Sequence, residues 1–466
     1  MAPAMKTMIK PEADVAWQAE DVTVGDVLEA VSNIRKKFAL AEAQDAELPH
    51  PRPCVMTLVG VAVTDAEERR AQRTTRAIAN HHPAQVIVVR DQPRLRPGRI
   101  DATISTDAIR SESACAVQCE MITLHVRGAA GEHLAALVDP LLPSGVPTYL
   151  WWLGTPPFGK QELTDALKIC DSLVVDSSRF EAPYRSFLEL THLASSSHQN
   201  LGVGDLQWWR LESWRETIAQ FFSPPDRRPF LNGIAEIGVD YAGEGRANRV
   251  AAALLIGWMA STLGWKLQRA AAGTGGTVVV HFAAEGWRPV QVALRSVPKQ
   301  HLAQGEISAV RLVGAAGGKT FQLTVLRDPD RVRRVAPDIG AGAFQSLVPT
   351  GGDDEAGFEI AQRKAAWHRD VLHQNLDNLH HTATGDPPGE SRPPHPAVFV
   401  RDRRHEENTR VLLTLIDIGG ADTLRHVQHV EPEDEATLLL GLLSHGTHDP
   451  VFTRSLAAAA ELMSAI

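Results

Sequence analysis

Apolar positions along this chain follow two patterns, and the change from one to the other divides it. Val24, Val27, Leu28, Val31, Ile34 and Phe38 recur at helical spacing, which predicts an amphipathic helix over 22–40 with Thr23 as a candidate N-cap. From 54 to 176 short apolar runs alternate with charged or mixed segments. Strands are predicted over 54–63, 85–90, 116–126, 148–152 and 173–175, and helices over 65–80, 131–142 and 161–168. Strands apolar along their whole length and separated by helices predict a doubly wound, mostly parallel sheet. Helices continue over 180–193 and 206–222, the second stopped by Pro224-Pro225. Residues 246–263 read as a buried helix, apolar almost all round.

After Trp265 the period shortens. Short strands over 277–282, 289–294, 307–313 and 320–326 are split by Gly-rich turns, which predicts an antiparallel β-meander. Residues 336–354 read as a loop, 356–381 as a polar helix and 382–396, with its run of prolines, as an extended linker. Strands over 397–401 and 410–418 and helices over 432–443 and 450–466 close the chain. The fold class expected is α/β, an N-terminal doubly wound sheet followed by an α+β domain with antiparallel strands. The expected division is a lead-in at 1–50, an α/β domain at 51–225, an α+β domain at 226–335, an insertion at 336–396, and a C-terminal part at 397–466 that completes the second domain.

At 466 residues the chain exceeds one ordinary core. Its 44% hydrophobic and 22% charged residues suit a globular protein, and a net charge of -9 argues against a general binder of nucleic acid or acidic membrane. No apolar run reaches the roughly 18 residues that span a bilayer, and the N-terminal stretch lacks the apolar core of a secretory signal. The cytoplasm is the expected compartment. Four cysteines, Cys54, Cys115, Cys119 and Cys170, make no disulfide framework. Cys115 and Cys119 in one strand would stand roughly 13 Å apart, beyond disulfide reach.

The candidate chemistry is thin. Gly314–Thr320 resembles a phosphate-binding loop, but Val313 stands where a glycine is needed and a strand follows where a helix is needed, so a hairpin turn is expected. Ala272–Gly276 lacks the third glycine of a dinucleotide fingerprint. His368, Asp370, His373, Asp377, His380 and His381 read as a solvated face rather than a closed metal site. Asp176 and Ser177, at a strand's carboxyl end near Gly154, could serve a phosphate or sugar, though a helix cap explains them more simply. Arg331, Arg333, Arg334 and Arg401, Arg403, Arg404 form two basic clusters suited to an acidic surface. No metal and no cofactor are expected.

Recognition features are stronger. Five of the ten tryptophans lie in two short runs, Trp151-Trp152 and the segment with Trp208, Trp209 and Trp214. The first pair alternates across a strand and reads as buried under helices. In the second, Trp208, Trp209, Arg210, Trp214 and Arg215 are the candidate contact patch for a protein partner. On one continuous helix Trp208 and Arg215 would share an outward face while Trp214 joins the core stripe of Leu211, Ile218 and Phe222.

Leu150-Trp-Trp-Leu-Gly with Pro156-Pro157, Leu173-Val-Val-Asp-Ser-Ser178 and Asp205-Leu-Gln-Trp-Trp-Arg-Leu-Glu-Ser-Trp-Arg-Glu216 resemble the glucose-6-phosphate dehydrogenase assembly proteins, the OpcA family. The resemblance takes in most of 22–330 and the last 40 or so residues, with Asp449-Pro-Val-Phe452 before the final helix. It implies a non-enzymatic protein that binds and activates glucose-6-phosphate dehydrogenase in the oxidative pentose phosphate pathway. It carries no catalytic residues. The family's link to redox control through thioredoxin finds little footing here, since no cysteine follows Cys170. The alternative is an enzyme or sensor that holds a sugar phosphate at the strand ends.

Overall fold

The computed structural model describes residues 14–44, 54–79, 84–110, 116–195, 201–244, 248–273, 276–284, 289–299, 302–327, 411–420, 424–429 and 434–466. The expected polar helix at 356–381, the linker at 382–396, the strand at 397–401, both arginine clusters and the histidine-rich segment lie outside them, as do Cys115 and the side chain of Cys119. The chain forms two compact units, one from Met1–Trp209 with Asp434–Asp449, the other from Arg210–Glu433 with Pro450–Ile466.

The first unit is built on an eight-stranded sheet. Its strands are β1 (Asp14–Ala19), β2 (Met56–Ala62), β3 (Ala84–Gln92), β4 (Arg99–Arg110), β5 (Ala116–Arg127), β6 (Thr148–Trp152), β7 (Ser172–Val175) and β8 (Gly202–Asp205), in the order β1-β4-β5-β3-β2-β6-β7-β8. The six strands from β5 to β8 in that order pair in parallel, and β1 and β4 add an antiparallel edge. This is the doubly wound sheet the apolar runs predict. The helices are α1 (Val24–Gln44), α2 (Asp65–Ala79), α3 (Leu134–Val138), α4 (Gln161–Ala166), α5 (Pro183–Ser195) and α6 (Leu206–Arg210, whose last residue belongs to the second unit). The helix expected over 131–142 is α3 flanked by two 3-10 turns.

A helix from the far end of the chain, α9 (Glu435–His445), completes this unit. Its Leu438, Leu439, Leu442 and Leu443 join Leu58, Ile78, Val86 and Trp151 in one buried cluster. Close approach requires bare backbone on the sheet side. A Cβ on Gly204 would come within 2.6 Å of the Leu442 side chain, and one on Gly202 would meet Thr447. Ser172 and Thr447 share a hydroxyl hydrogen bond of 2.6 Å. Trp152, with Trp151, is buried, as the alternation on β6 predicts.

The second unit holds another eight-stranded sheet. It adds α7 (Glu212–Phe222), β9 (Ile234–Ala242), α8 (Val250–Leu263), β10 (Lys266–Ala272), β11 (Val278–Ala283), β12 (Val290–Val297), β13 (Ile307–Ala316), β14 (Lys319–Leu326), β15 (Val411–Ile418), β16 (Leu424–His429) and α10 (Pro450–Ser464). The order is β10-β11-β12-β9-β13-β14-β15-β16, antiparallel except where β9 lies parallel to β12. The predicted hairpins are present, and β9 separates them. Gly317 and Gly318, at positive φ, turn β13 into β14, so the phosphate-loop look-alike is a hairpin turn. Helices α8 and α10 cross where Gly257 leaves room; a Cβ there would meet the Ser455 carbonyl and stand 2.8 Å from the Ala459 amide. On α7, Phe221 and Phe222 pack with Phe230 around Phe321 of β14.

Candidate functional site: the carboxyl edge of the parallel sheet

In an open α/β sheet ligands bind outside the carboxyl ends of the strands, where the strand order reverses. Here the reversal lies at β2, between β3 on one side and β6 on the other. The turn from β2 into α2 is therefore the first place a phosphate would be sought.

That turn is filled by its own side chains. Glu67 Oε2 accepts hydrogen bonds from the amides of Val63 (2.7 Å) and Thr64 (2.9 Å), and the Thr64 hydroxyl accepts one from the Glu67 amide (3.2 Å). This is a capping box, which occupies the amides a phosphate would use. Gly154 lets it close, since a Cβ there would stand 2.8 Å from Glu67 Oε1. Asp65 and Glu68 place two further carboxylates in the first turn, where they suit the helix dipole and repel an anion.

The neighbouring cations are engaged too. Arg90, buried at the end of β3, pairs with Asp65 (2.8 Å) and lies 3.7 Å from Glu68. Glu68 also holds His125 Nε2 at 2.7 Å, and that hydrogen bond raises the imidazole pKa. Arg70 donates to the Leu153 carbonyl and pairs with Glu435 of α9 at 3.1 Å.

Further along the edge, Asp176 and Ser177 serve the backbone. Asp176 caps a 3-10 turn, accepting from the Ser178 amide (3.2 Å) and hydroxyl (2.6 Å), and pairs with Arg179 at 3.1 Å. Ser177 donates its amide (3.0 Å) and its hydroxyl (2.5 Å) to Asp205, which also accepts from the Gln207 amide (2.9 Å). Burial pushes the Asp205 carboxyl up to about 6. Asp91 and Glu162 are also raised, burial being the main cause in both. The edge is thus rich in carboxylates, with its arginines drawn into ion pairs.

The Trp-rich segment is two helices, not one. Leu211 breaks the expected helix between α6 and α7. Trp208 is 2% exposed and donates its indole N–H to Asp449 at 3.1 Å, so the outward face expected for it is corrected: it is core of the first unit. Trp209, partly buried, lies against Gly441 and tilts over His445 with ring centroids 5.1 Å apart. In the second unit Trp214 is 1% exposed, as its place in the core stripe predicts, while Arg210 and Arg215 are half-buried. Nothing in the sequence pattern distinguishes Trp208 from Trp209; the far-off Asp449 and Gly441 decide which turns inward.

Among the described residues no group of three or more His, Cys, Asp or Glu side chains is placed to hold a metal ion. Burial pushes the Cys170 thiol up to about 12, and Cys54 donates to the Met56 carbonyl at 2.8 Å. Cys170 is thus not poised as a thiolate at neutral pH. No helix among them is long and apolar enough to cross a membrane.

Comparison with known proteins identifies the family. Residues 75–192 match the family model described as the glucose-6-phosphate dehydrogenase subunit N-terminal domain, and 201–456, more than half the chain, match that of the C-terminal domain. The chain belongs to the OpcA family. An OpcA of Nostoc punctiforme, provisionally named an OxPP cycle protein, is 28% identical over 56% of this chain and 57% of its own length. Another of that name from Synechococcus elongatus is 27% identical over 66% of this chain and 69% of its own. The match to the Nostoc OpcA thus spans less than two thirds of that protein. Among solved structures, an oxidoreductase from Sinorhizobium meliloti matches 59% of this chain and 75% of its own at 12% identity, with a TM-score of 0.33, a likeness too slight to carry an argument. The OpcA family membership agrees with the resemblance carried by the segments at 150–157, 173–178 and 205–216, all three of which fall inside the matched ranges.

Proposed function

We propose that this chain binds glucose-6-phosphate dehydrogenase and acts on it as a non-catalytic activator in the oxidative pentose phosphate pathway. The observation that carries this reading is the match of both halves of the chain to the two domains described for that dehydrogenase's subunit. The carboxyl edge is consistent with it, because the place where such a sheet would hold a phosphate is taken by Glu67 and its neighbours. An activator must bind the active conformation of the enzyme more tightly than the inactive one; equal affinity shifts nothing.

The test is to mix the purified pair and follow the dehydrogenase's rate against substrate concentration. Activation predicts a lower apparent KM or a higher kcat once the complex forms. A complex that leaves both unchanged is a scaffold and removes the activator reading. For contact residues, the proposal now rests on Trp209 in the first unit and on Arg210 and Arg215 in the second, each taken by itself. Arg215→Glu is expected to weaken the complex about tenfold, beyond any change that its melting temperature accounts for. The sugar-phosphate alternative at Gly154, Asp176 and Ser177 requires a saturable thermal shift that Asp176→Ala abolishes.

A further inference from the structure

Along β12 the sequence Val-Gln-Val-Ala-Leu-Arg alternates strictly, and its burial alternates with it. Val292 and Leu294 are buried, as are Val280 and Phe282 of β11. Val279, His281, Gln291 and Ala293, which point the other way, are only half-buried. This is the one-sided pattern of a sheet with a core on one face alone. The core side is that of Phe321, which packs against Phe221 and Phe222 of α7.

On the open side the register sets the side chains in rows across β10, β11, β12 and β9. Arg269 stands beside His281, His281 beside Gln291, and Gln291 beside Glu236. Arg269 Nη2 and His281 Nε2 lie 3.3 Å apart. The adjoining row is Ala271, Val279, Ala293 and Gly238, small and uncharged. Beyond it Arg295 is bound to Asp240 by two hydrogen bonds of 2.9 Å, so its charge is answered within the sheet. Arg269, Ala271 and Glu236 are exposed. The outer edge of β10 is less suited to a partner, because it starts with Lys266 and carries a bulge between Leu267 and Arg269, two features that work against edge-to-edge pairing. A flat face with a strip of small residues suits another sheet laid on it, about 10 Å away.

The charged row runs from a cation at Arg269 to a carboxylate at Glu236, and this makes it its own complement. A two-fold axis parallel to the strands, between β11 and β12, brings Arg269 over the second copy's Glu236, His281 over its Gln291 and Val279 over its Ala293. Each pairing forms twice, because such a contact uses the same patch on both chains. Four strands about 4.8 Å apart and about 25 Å long offer roughly 500 Å² a side, about 1,000 Å² for the pair, at the low end of specific interfaces. We propose that the open face of β10, β11, β12 and β9 docks a second copy of this chain, sheet against sheet, with Arg269 of each copy on Glu236 of the other. This does not depend on the reading of the chain as a partner of the dehydrogenase. The alternation in β12 is visible in the sequence, but the row from Arg269 to Glu236 exists only once the register is known.

The experiment is sedimentation equilibrium of the full chain alone at low salt, over about 1–100 μM, where an interface of this size should show a monomer–dimer equilibrium. Ala293→Lys places a charge at the centre of the contact and should leave the chain monomeric with the far-ultraviolet circular dichroism of wild type. Arg269→Glu and Glu236→Arg change exposed residues, so folding is not at stake. Each should weaken the dimer about tenfold, because like charges then face each other twice, and the two together should restore it. A chain that is monomeric throughout, a dimer indifferent to Ala293→Lys, or single reversals that the double variant does not rescue each overturn the proposal. If the chain alone stays monomeric and Ala293→Lys instead abolishes binding to the dehydrogenase, the face belongs to the enzyme and the second copy is excluded.

Discussion

Single residues here carry more of the fold than their surface chemistry suggests. Trp214 is buried on the core stripe of α7, and its truncation removes a large side chain with little room to collapse. Trp214→Ala should cost about 3–5 kcal/mol, and Trp208→Ala a similar amount, read as a shift of the urea midpoint at constant slope. A variant of either that unfolds like wild type would mean these indoles are not core. Asp205 offers a second test. Its carboxyl is raised from 3.8 to about 6 by burial, so between those values the folded chain holds a proton that the unfolded chain has lost. Stability therefore falls as pH rises from about 4 to about 6 and is flat above, with an amplitude on the order of 3 kcal/mol. Asp205→Asn keeps an acceptor for the Ser177 and Gln207 amides and removes the titration. Relative to wild type it should gain stability between pH 4.5 and pH 7; a constant difference across that range rules this out.

Elements were legible in the sequence where burial is one-sided or complete. β2, β3, β6 and β7 each hold an uninterrupted apolar run, because a parallel sheet covered on both faces leaves few polar positions in the middle of its strands. The strands left unpredicted each hide that signal. β8 has two glycines in four residues, which read as a turn until α9 is laid against them. β9 carries Asp240 in its interior, paired with Arg295 and Arg311 at 2.9 Å, so an ion cluster interrupts its apolar run. β4 alternates small Ala102 with Asp101 and Thr103 on an antiparallel flank, and β1 lies outside it as the edge strand. At the candidate site, the capping role of Asp176 was legible because Asp followed by Ser-Ser is a local signal. Thr64 followed three residues later by Glu67 is a local capping-box signal as well, and only the room that Gly154 leaves for the carboxylate lies far along the chain. Gly257 on α8 carries an element-scale prediction. Alanine is the better helix former by roughly 1 kcal/mol, yet here its methyl group would meet the backbone of α10, which cannot swing aside as a side chain can. Gly257→Ala should lower stability by about 1–3 kcal/mol, measured by chemical denaturation. A neutral or stabilising result would show that α8 and α10 separate freely.

At the scale of the whole molecule the chain order and the folded units do not coincide. The first unit takes its helix α9 from residues that follow nearly all of the second. The consequence is energetic. Leu438, Leu439 and Leu442 are almost fully buried and Leu443 nearly so, and burying such a side chain contributes about 1.5–3 kcal/mol. Four of them together match the net stability of a typical domain, about 5–15 kcal/mol. Residues 1–209 alone would also expose Leu58, Ile78 and Trp151, bare the glycines of β8, and leave Arg70 without Glu435 and Trp208 without Asp449. Such a fragment is expected to lack cooperative unfolding and the near-ultraviolet signal of ordered tryptophans. The same fragment joined by a flexible linker to residues 434–449 should regain both. The comparison isolates the helix, because the two chains share every other residue of the unit. If residues 1–209 unfold cooperatively without the added segment, α9 is an accessory and the first unit is complete in sequence before Arg210. If only the joined chain does so, the first unit does not take on its folded surface until residues 434–449 are in place, and any binding to a partner through that unit must wait for them.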